Sequence, residues 1–433
     1  MSNEPHIHII TTPDASWQTR APGAVPVSAQ VCNLRSRGRH PHAWEGFGGC
    51  FNEIGWDALL RLAPASRSSL LDGLFSEDGL HLDMGRLPMG ASDYALSWHS
   101  YDETEGDLAL NDFSIARDRE RLFPFVHEAL ARRPDLRLFA SPWSPPTWMK
   151  FPAAYNYGTF RMEPEYLASY ADYFVRYVEA CAVDGIHIGS VHPQNEPVAD
   201  QKFPSCVWTG DELAEFIGGY LGPAMAARFP EVGVWLGTMN TADFENMFLP
   251  VLSDPRCSGI LRGIGLQWDG KNVLQKLAAA CPELPRWQTE NECGDGLNTR
   301  AYAHGIFSLV SHYLSSGVNA YVYWNMALPP GGRSTWGWEQ NSLAVVDGAS
   351  GEWSWQPEYY VFKHLAHFVR PGDFPLQLDG MLAPCAVAFE RAAGGHVLAI
   401  HNPQPQPVPL HAEIGGKEIV AKLEPDSFHT FVL

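Results

Sequence analysis

Eight short runs rich in β-branched and aromatic residues recur between residues 46 and 325, separated by stretches with helical spacing. No other feature constrains the fold as strongly. The runs are Gly46–Phe51, Leu82–Pro88, Leu136–Ser141, Ile186–Val191, Val232–Gly237, Gly263–Trp268, Arg286–Thr289 and Ala320–Asn325. Between them, Glu165 to Val183 sets Leu167, Tyr170, Phe174 and Val178 on one helical face, and Asp211 to Arg228 follows Thr209 as a cap. Alternation of this kind builds a parallel sheet, and eight units over about 330 residues suit a closed (β/α)8 barrel with enlarged loops. An open doubly wound sheet carries a phosphate-binding glycine loop after its first strand. Gly46-Phe47-Gly48-Gly49 does not match G-x-G-x-x-G.

Both ends of the chain carry β-like pieces instead. His6 to Thr11 and Val25 to Leu34 lie at one end; Ala386–Glu390, His396–Ile400, Val408–Leu410, Glu418–Val420 and Phe428–Val432 lie at the other. Short strands with regular turn signals predict a small sandwich, built here from both termini. The expected organisation is residues 1–40 as N-terminal sandwich strands, 41–375 as the barrel, and 376–433 as the C-terminal part of the sandwich.

A parallel barrel places its chemistry at the carboxyl ends of its strands. Gln194-Asn195-Glu196 follows the fourth run and Pro197 stops it; Arg86 and Asp93 belong to the second, Ser141, Trp143 and Trp148 to the third. Gln267-Trp268 ends the sixth, Thr289-Glu290-Asn291-Glu292-Cys293 the seventh, and Trp324-Asn325 the eighth. Two carboxylates facing each other across one cleft, Glu196 and Glu290, are what cleavage of a glycosidic bond requires: one protonates the leaving oxygen, the other attacks or activates water. In such a site Arg86 keeps the nucleophile ionised, Asp93 takes two sugar hydroxyls and Asn195 takes the 2-hydroxyl, with Gln267 among the pocket's hydrogen-bonding groups. Trp143, Trp268 and Trp324 supply stacking walls. The structural alternatives are an ion pair for Arg86 and a turn or cap for Asp93. Trp148 reads as packing of its proline-rich loop. Cys293 has no histidine beside it to activate a thiol.

Glu290 and Glu292 share a face only if the strand runs past both. Gly294 and Gly296 turn the backbone first, which leaves Glu290 at the strand end and Glu292 in the loop.

Composition excludes several classes. The 433 residues carry a formal net charge of −19, which repels phosphate backbones, so nucleic acid is not an expected partner. The eight cysteines form no C-x-x-C pair, and the His6-Ile7-His8 and His40-Pro41-His42 pairs do not make a metal box, so no metal is expected. No apolar run reaches the ~18 residues of a transmembrane segment, and the N-terminus lacks a secretory pattern. Free thiols and a cytoplasmic location are the expectation. No sequence feature specifies an oligomeric state.

The same segments resemble the family 30 glycoside hydrolases, the group that includes acid β-glucosidase. The matching stretches are Glu45–Gly49, Arg86–Tyr94, Ala140–Lys150, Gln194–Pro197 and Trp324–Leu328, in order across most of residues 45–345. The resemblance implies a barrel with an attached sandwich from both termini and a retaining, cofactor-free double displacement. It also implies Glu196 as acid/base and the seventh-strand Glu as nucleophile. It further implies a β-glucosidase or glucosylceramidase-like enzyme acting on a β-glycoside or oligosaccharide. Alternatives are a β-1,6-glucanase, β-xylosidase or β-fucosidase of the same family, or a barrel that binds carbohydrate without cleaving it. Retention of both carboxylates weighs against the last. Two positions depart from the family pattern. The nucleophile motif, usually Ser/Thr-Glu-x-Cys, here reads Thr289-Glu290-Asn291-Glu292-Cys293, and Gln267-Trp268 stands where glucosylceramidases have His-Trp.

Overall fold

The computed structural model describes residues 7–20 and 32–433; the expected strand positions 6 and 25–31 lie outside the described residues. Eight parallel strands, Gly46–Cys50, Met84–Met89, Arg137–Pro142, Ile188–Val191, Gly233–Met239, Leu261–Gln267, Arg286–Glu290 and Ala320–Asn325, close into a barrel. The first pairs with both the second and the eighth. The expected fold class is the observed one. Helices cover the outside of the barrel, so most strand residues are buried on both faces, which is why the runs read as nearly continuous apolar sequence.

Glycine in the first strand allows close approach. A Cβ on Gly48 would stand 2.8 Å from the Met84 carbonyl oxygen of the neighbouring strand. Inside the barrel Phe139, His192, Trp235 and Trp287 form a stack, with successive ring centroids 5.0, 5.6 and 3.7 Å apart. Gly263 makes room for it, since a Cβ there would meet the Trp235 ring at 2.2 Å. This plug fills the barrel interior with packed side chains.

The helix spanning Pro164–Val183 buries Leu167, Tyr170, Phe174 and Val178 as its periodicity predicts. Thr209 and Glu212 form a reciprocal capping box. The helix they open is not uniform: Gly210–Phe216 passes through a wide π turn, Ile217–Leu221, before Gly222–Arg228.

The two termini meet in one curled nine-stranded sheet. Phe374–Asp379 turns its corner, pairing through Phe374 and Pro375 with one half and through Leu376 to Asp379 with the strand Leu34–Arg39 in the other. Alternation assigns the faces. Ala386, Ala388, Leu398 and Ile400 point into the sandwich core, whereas Val387, Phe389, Val397 and Ala399 join the barrel's core. The sheet thus lies buried between its own second layer and the barrel helices Arg300–Ser315 and Pro357–Ala366. Polar links fix the seam: His364 bridges Thr11 and Thr430 at 2.9 Å each, and Arg300 Nε donates to Asp426 at 2.6 Å. No helix among the described residues is long and apolar enough to cross a membrane.

Candidate active site

The polar side chains of the site lie on barrel strands or in the loops that follow them. Arg86 sits on the second strand and points inward with no exposed surface. Its guanidinium is saturated. Nη1 donates to Glu290 Oε2 at 2.7 Å; Nη2 donates to Asn195 Oδ1 at 2.7 Å and to Ser141 Oγ at 2.8 Å; Nε donates to Ser141 Oγ at 3.1 Å. The Trp143 ring lies over it at 4.5 Å and the Trp324 ring at 5.8 Å. Two indoles and five or more polar contacts hold one fixed charge beneath the cleft.

Glu290 is the last residue of the seventh strand, as expected of a strand-end carboxylate. Glu196 lies farther along than its sequence suggests, because the fourth strand stops at Val191. The intervening loop is stitched to its neighbours: Asn195 N–H donates to Pro142 O at 2.7 Å, and Glu196 N–H donates to Thr238 O at 3.0 Å. Those bonds hold Glu196 at φ 51°, a left-handed conformation that non-glycine residues rarely adopt; Trp268, at φ 49°, is the second such residue in the site. Local strain of this sort costs roughly 1–3 kcal/mol per residue and persists where surrounding contacts over-determine it.

Gln267 links the two acids. Its Nε2 donates to Glu196 Oε1 at 3.0 Å, to Asn195 Oδ1 at 3.1 Å and, weakly, to Glu290 Oε2 at 3.5 Å. Its Oε1 accepts from Thr289 Oγ1 at 3.2 Å and from Arg86 Nη1 at 3.4 Å. One nitrogen within reach of both carboxylates holds Glu196 Oε1 and Glu290 Oε2 closer together than the ~6.5–9.5 Å separation typical of inversion. Three donors converge on Asn195 Oδ1, from Arg86, Thr238 and Gln267. That convergence orients the Asn195 amide and turns its Nδ2 away from the protein network.

Burial and the Glu290 charge push Glu196 up to about 8. Burial also raises Glu290, but the Arg86 guanidinium opposes this, by charge and by hydrogen bond, as do the Trp268 indole and the Gln267 amide. Arg86 touches Glu290 directly, so Glu290 is the acid of the pair that ionises first. Asp93 is driven well above the usual carboxylate range by burial and by the charges of Glu290 and Glu196.

A cavity of about 360 Å³ opens over these groups, lined by Asp93, Trp143, Asn195, Glu196, Trp268 and Glu290 among others. Asp93 Oδ1, on the cavity wall, is buried without a hydrogen-bond partner. Unpaired buried polar atoms at a cavity are groups set aside for a ligand. The site therefore combines two neighbouring acids that burial raises, of which only Glu290 has a guanidinium favouring its ionised form, with an open donor and acceptor between them.

Of the residues singled out by sequence, Arg86, Gln267 and Trp324 lie behind the cavity wall rather than on it, each with no exposed surface. Trp324 is thus not a stacking wall in its own right: it backs Trp143, with ring centroids 5.3 Å apart. Glu292 faces away from the cavity and pairs with Lys271. Cys293 is buried and donates to the Asn291 carbonyl, and burial pushes its thiol well up. Trp148 is buried with its indole N–H on Asp102 O at 3.0 Å, a loop-packing role. Thr238 was missed by sequence reasoning, because the fifth run was read as ending at Gly237; its Oγ1 donates to Asn195 Oδ1 at 3.1 Å. Trp338 and Glu339, also on the cavity wall, come from a loop without periodicity.

Comparison with known proteins shows the family. The family model of the glycosyl hydrolase family 30 TIM-barrel domain matches residues 44–369. The lysosomal acid glucosylceramidase of Mus musculus is 27% identical over 424 residues, covering 90% of this chain and 80% of that protein. The endo-1,6-beta-D-glucanase of Neurospora crassa is 25% identical over 383 residues, covering 83% and 78%. In fold, SrfJ from Salmonella typhimurium matches with a TM-score of 0.89 at 23% identity, covering 99% of both chains.

Proposed function

Since the chain belongs to glycosyl hydrolase family 30 and is a retaining glycoside hydrolase acting on carbohydrate, we propose that Glu196 and Glu290 are its working carboxylates and β-D-glucosides its substrates. The observation that carries this reading is the Gln267 amide spanning both acids while Arg86 holds Glu290.

In the first step Glu196, protonated, gives its proton to the glycosidic oxygen as that bond breaks. Glu290, ionised, attacks the anomeric carbon and forms a covalent glycosyl ester. In the second step Glu196, now anionic, takes a proton from water, whose oxygen attacks the same carbon and releases Glu290. Two inversions leave the configuration unchanged. Positive charge develops on the sugar between the two steps' end states, and the fixed Glu290 carboxylate stabilises it without reorganising. Asp93 Oδ1 is the partner proposed for glycone hydroxyls, Asn195 Nδ2 for the 2-hydroxyl, and Trp143 for the inner face of the ring. Arg86 and Gln267 act from behind the wall as positioning residues.

Glucose as the glycone is supported by the two kinds of curated relatives, a glucosylceramidase and an endo-1,6-glucanase. The test is hydrolysis of aryl β-glycosides differing only in the glycone, followed by proton NMR of the first sugar released. The proposal expects the β-glucoside to be cleaved fastest, with β-glucose appearing first. Initial α-glucose, or preference for another glycone, contradicts it.

A further inference from the structure

Three tryptophans keep more than a third of their surface exposed: Trp98 at 38%, Trp268 and Trp338 at 37% each. They stand in the loops after the second, sixth and eighth barrel strands, so all three lie on the face that carries the carboxylates. Single apolar side chains scattered over a surface need no explanation; exposed indoles gathered on one face do. Trp268 and Trp338 both line the cavity that holds Glu196 and Glu290.

Trp338 is held firmly. Its hairpin closes through Ser334 N–H donating to Trp338 O at 2.7 Å and Gln340 N–H donating to Gly332 O at 3.1 Å. The hairpin is tied across to the loop after the second strand, where Tyr94 O–H donates to Gly332 O at 2.7 Å and Thr335 Oγ1 to Ala95 O at 2.6 Å. Phe203 meets the indole edge-on at 6.2 Å, and Lys202 Nζ lies 4.7 Å from the ring centroid. Among the described residues no carboxylate pairs with Lys202, although the chain carries a net charge of −19. An ammonium left without an acid beside a rigid, exposed indole is a donor open to a ligand.

With a glycone against Asp93 and Trp143 and the scissile oxygen at Glu196, as the proposed function has it, the rest of the same cavity, which Trp338 lines, is left for the leaving group. Gln201, Asn240, Glu339 and Gln340 also line the cavity, together with Val198, Ala199 and Phe203. Four polar side chains and an ammonium suit hydroxyl groups and penalise a hydrocarbon chain, which cannot satisfy them.

We propose that Trp338 and Lys202 form a sugar subsite on the leaving-group side of the scissile bond, taking the second hexose of a neutral β-linked gluco-oligosaccharide. The indole covers the C–H face of that ring and the ammonium donates to one of its hydroxyls. The inference rests on the proposed function, which places Glu196 between the two sugars.

The test compares kcat/KM for two kinds of substrate. One is β-D-glucosyl fluoride, whose leaving group is a single atom; the other is whichever of the β-1,3-, β-1,4- and β-1,6-linked glucotrioses the unmodified enzyme cleaves fastest. Trp338→Ala is expected to lower the trisaccharide value at least tenfold more than the fluoride value. Lys202→Met should give a smaller differential loss, of several-fold, and Trp338→Phe should recover part of it. Equal losses on both substrates, or none on the trisaccharide, overturn the subsite. So does a differential loss seen only with glucosylceramide in detergent micelles, which would assign the wall to a lipid. An enzyme that cleaves the fluoride but no glucotriose overturns the subsite and leaves the β-glucosidase reading standing. One that cleaves neither overturns that reading as well.

Discussion

Arg86 Nη1 donates to Glu290 Oε2 at 2.7 Å, yet neither group meets water appreciably: Arg86 has no exposed surface and Glu290 is 4% exposed. A buried pair of this kind is poor evidence of stability, since desolvation offsets most of the attraction. Its use is to fix where negative charge resides. Lysine has one nitrogen where Arg86 serves Ser141, Asn195 and Glu290 together. Arg86→Lys should therefore lower kcat by about 10²-fold or more, with KM changed far less, in steady-state kinetics on an aryl β-glucoside.

Glu196, raised to about 8, sets the alkaline side of the pH profile. Activity requires its protonated form, so kcat/KM should fall as pH rises through about 8. Stability has the same sign. A carboxyl whose folded pKa lies above the unfolded value of 4.5 stabilises the fold fully below 4.5 and loses that contribution as pH climbs toward 8. Glu196→Gln, neutral at every pH, should be more stable than the parent at pH 8 by about 1–3 kcal/mol, with the gap closing near pH 4. Thermal melts across that range check it; a gap that widens on acidification has the wrong sign.

The Gln267 amide lowers the Glu196 pKa by donating to its carboxylate. Removing that donor in Gln267→Leu should move the alkaline limb to higher pH while lowering kcat. A limb that stays in place or moves to lower pH shows that the amide does not act on Glu196.

Asp93 Oδ1, buried and unpaired, is assigned to the substrate's hydroxyls. Asp93→Ala should lower kcat/KM by a factor equivalent to ~1–3 kcal/mol, the range for leaving a buried hydroxyl without its hydrogen-bond partner. An unchanged value returns Asp93 to a structural role in its turn.

The barrel was legible in sequence because strands buried on both faces leave compact apolar runs, and all eight runs coincide with strands to within a few residues. The acids were legible because Pro197 and Gly294 stop the backbone close to them. Depth was not legible. Nothing in a local pattern distinguishes Arg86 or Trp324 behind the cavity wall from Trp143 or Asp93 on it, because that is decided by which neighbours pack in front. Thr238 lies just beyond the apolar part of its strand, so an apolar pattern stops short of it. Trp338 depends on hydrogen bonds between two loops far apart in sequence, and neither loop has a period to read. The terminal sheet was expected from its alternation, but its continuity through the corner at Phe374–Asp379 comes from pairing between chain ends.

Covalent trapping tests the role of Glu290 as nucleophile most directly. The enzyme is inactivated with a 2-deoxy-2-fluoro-β-glucosyl fluoride, digested, and the labelled residue located by mass spectrometry. One adduct per chain is expected, on Glu290, cleared slowly on incubation with an acceptor sugar. An adduct on Glu292, or full inactivation with no covalent label anywhere in residues 286–293, contradicts it.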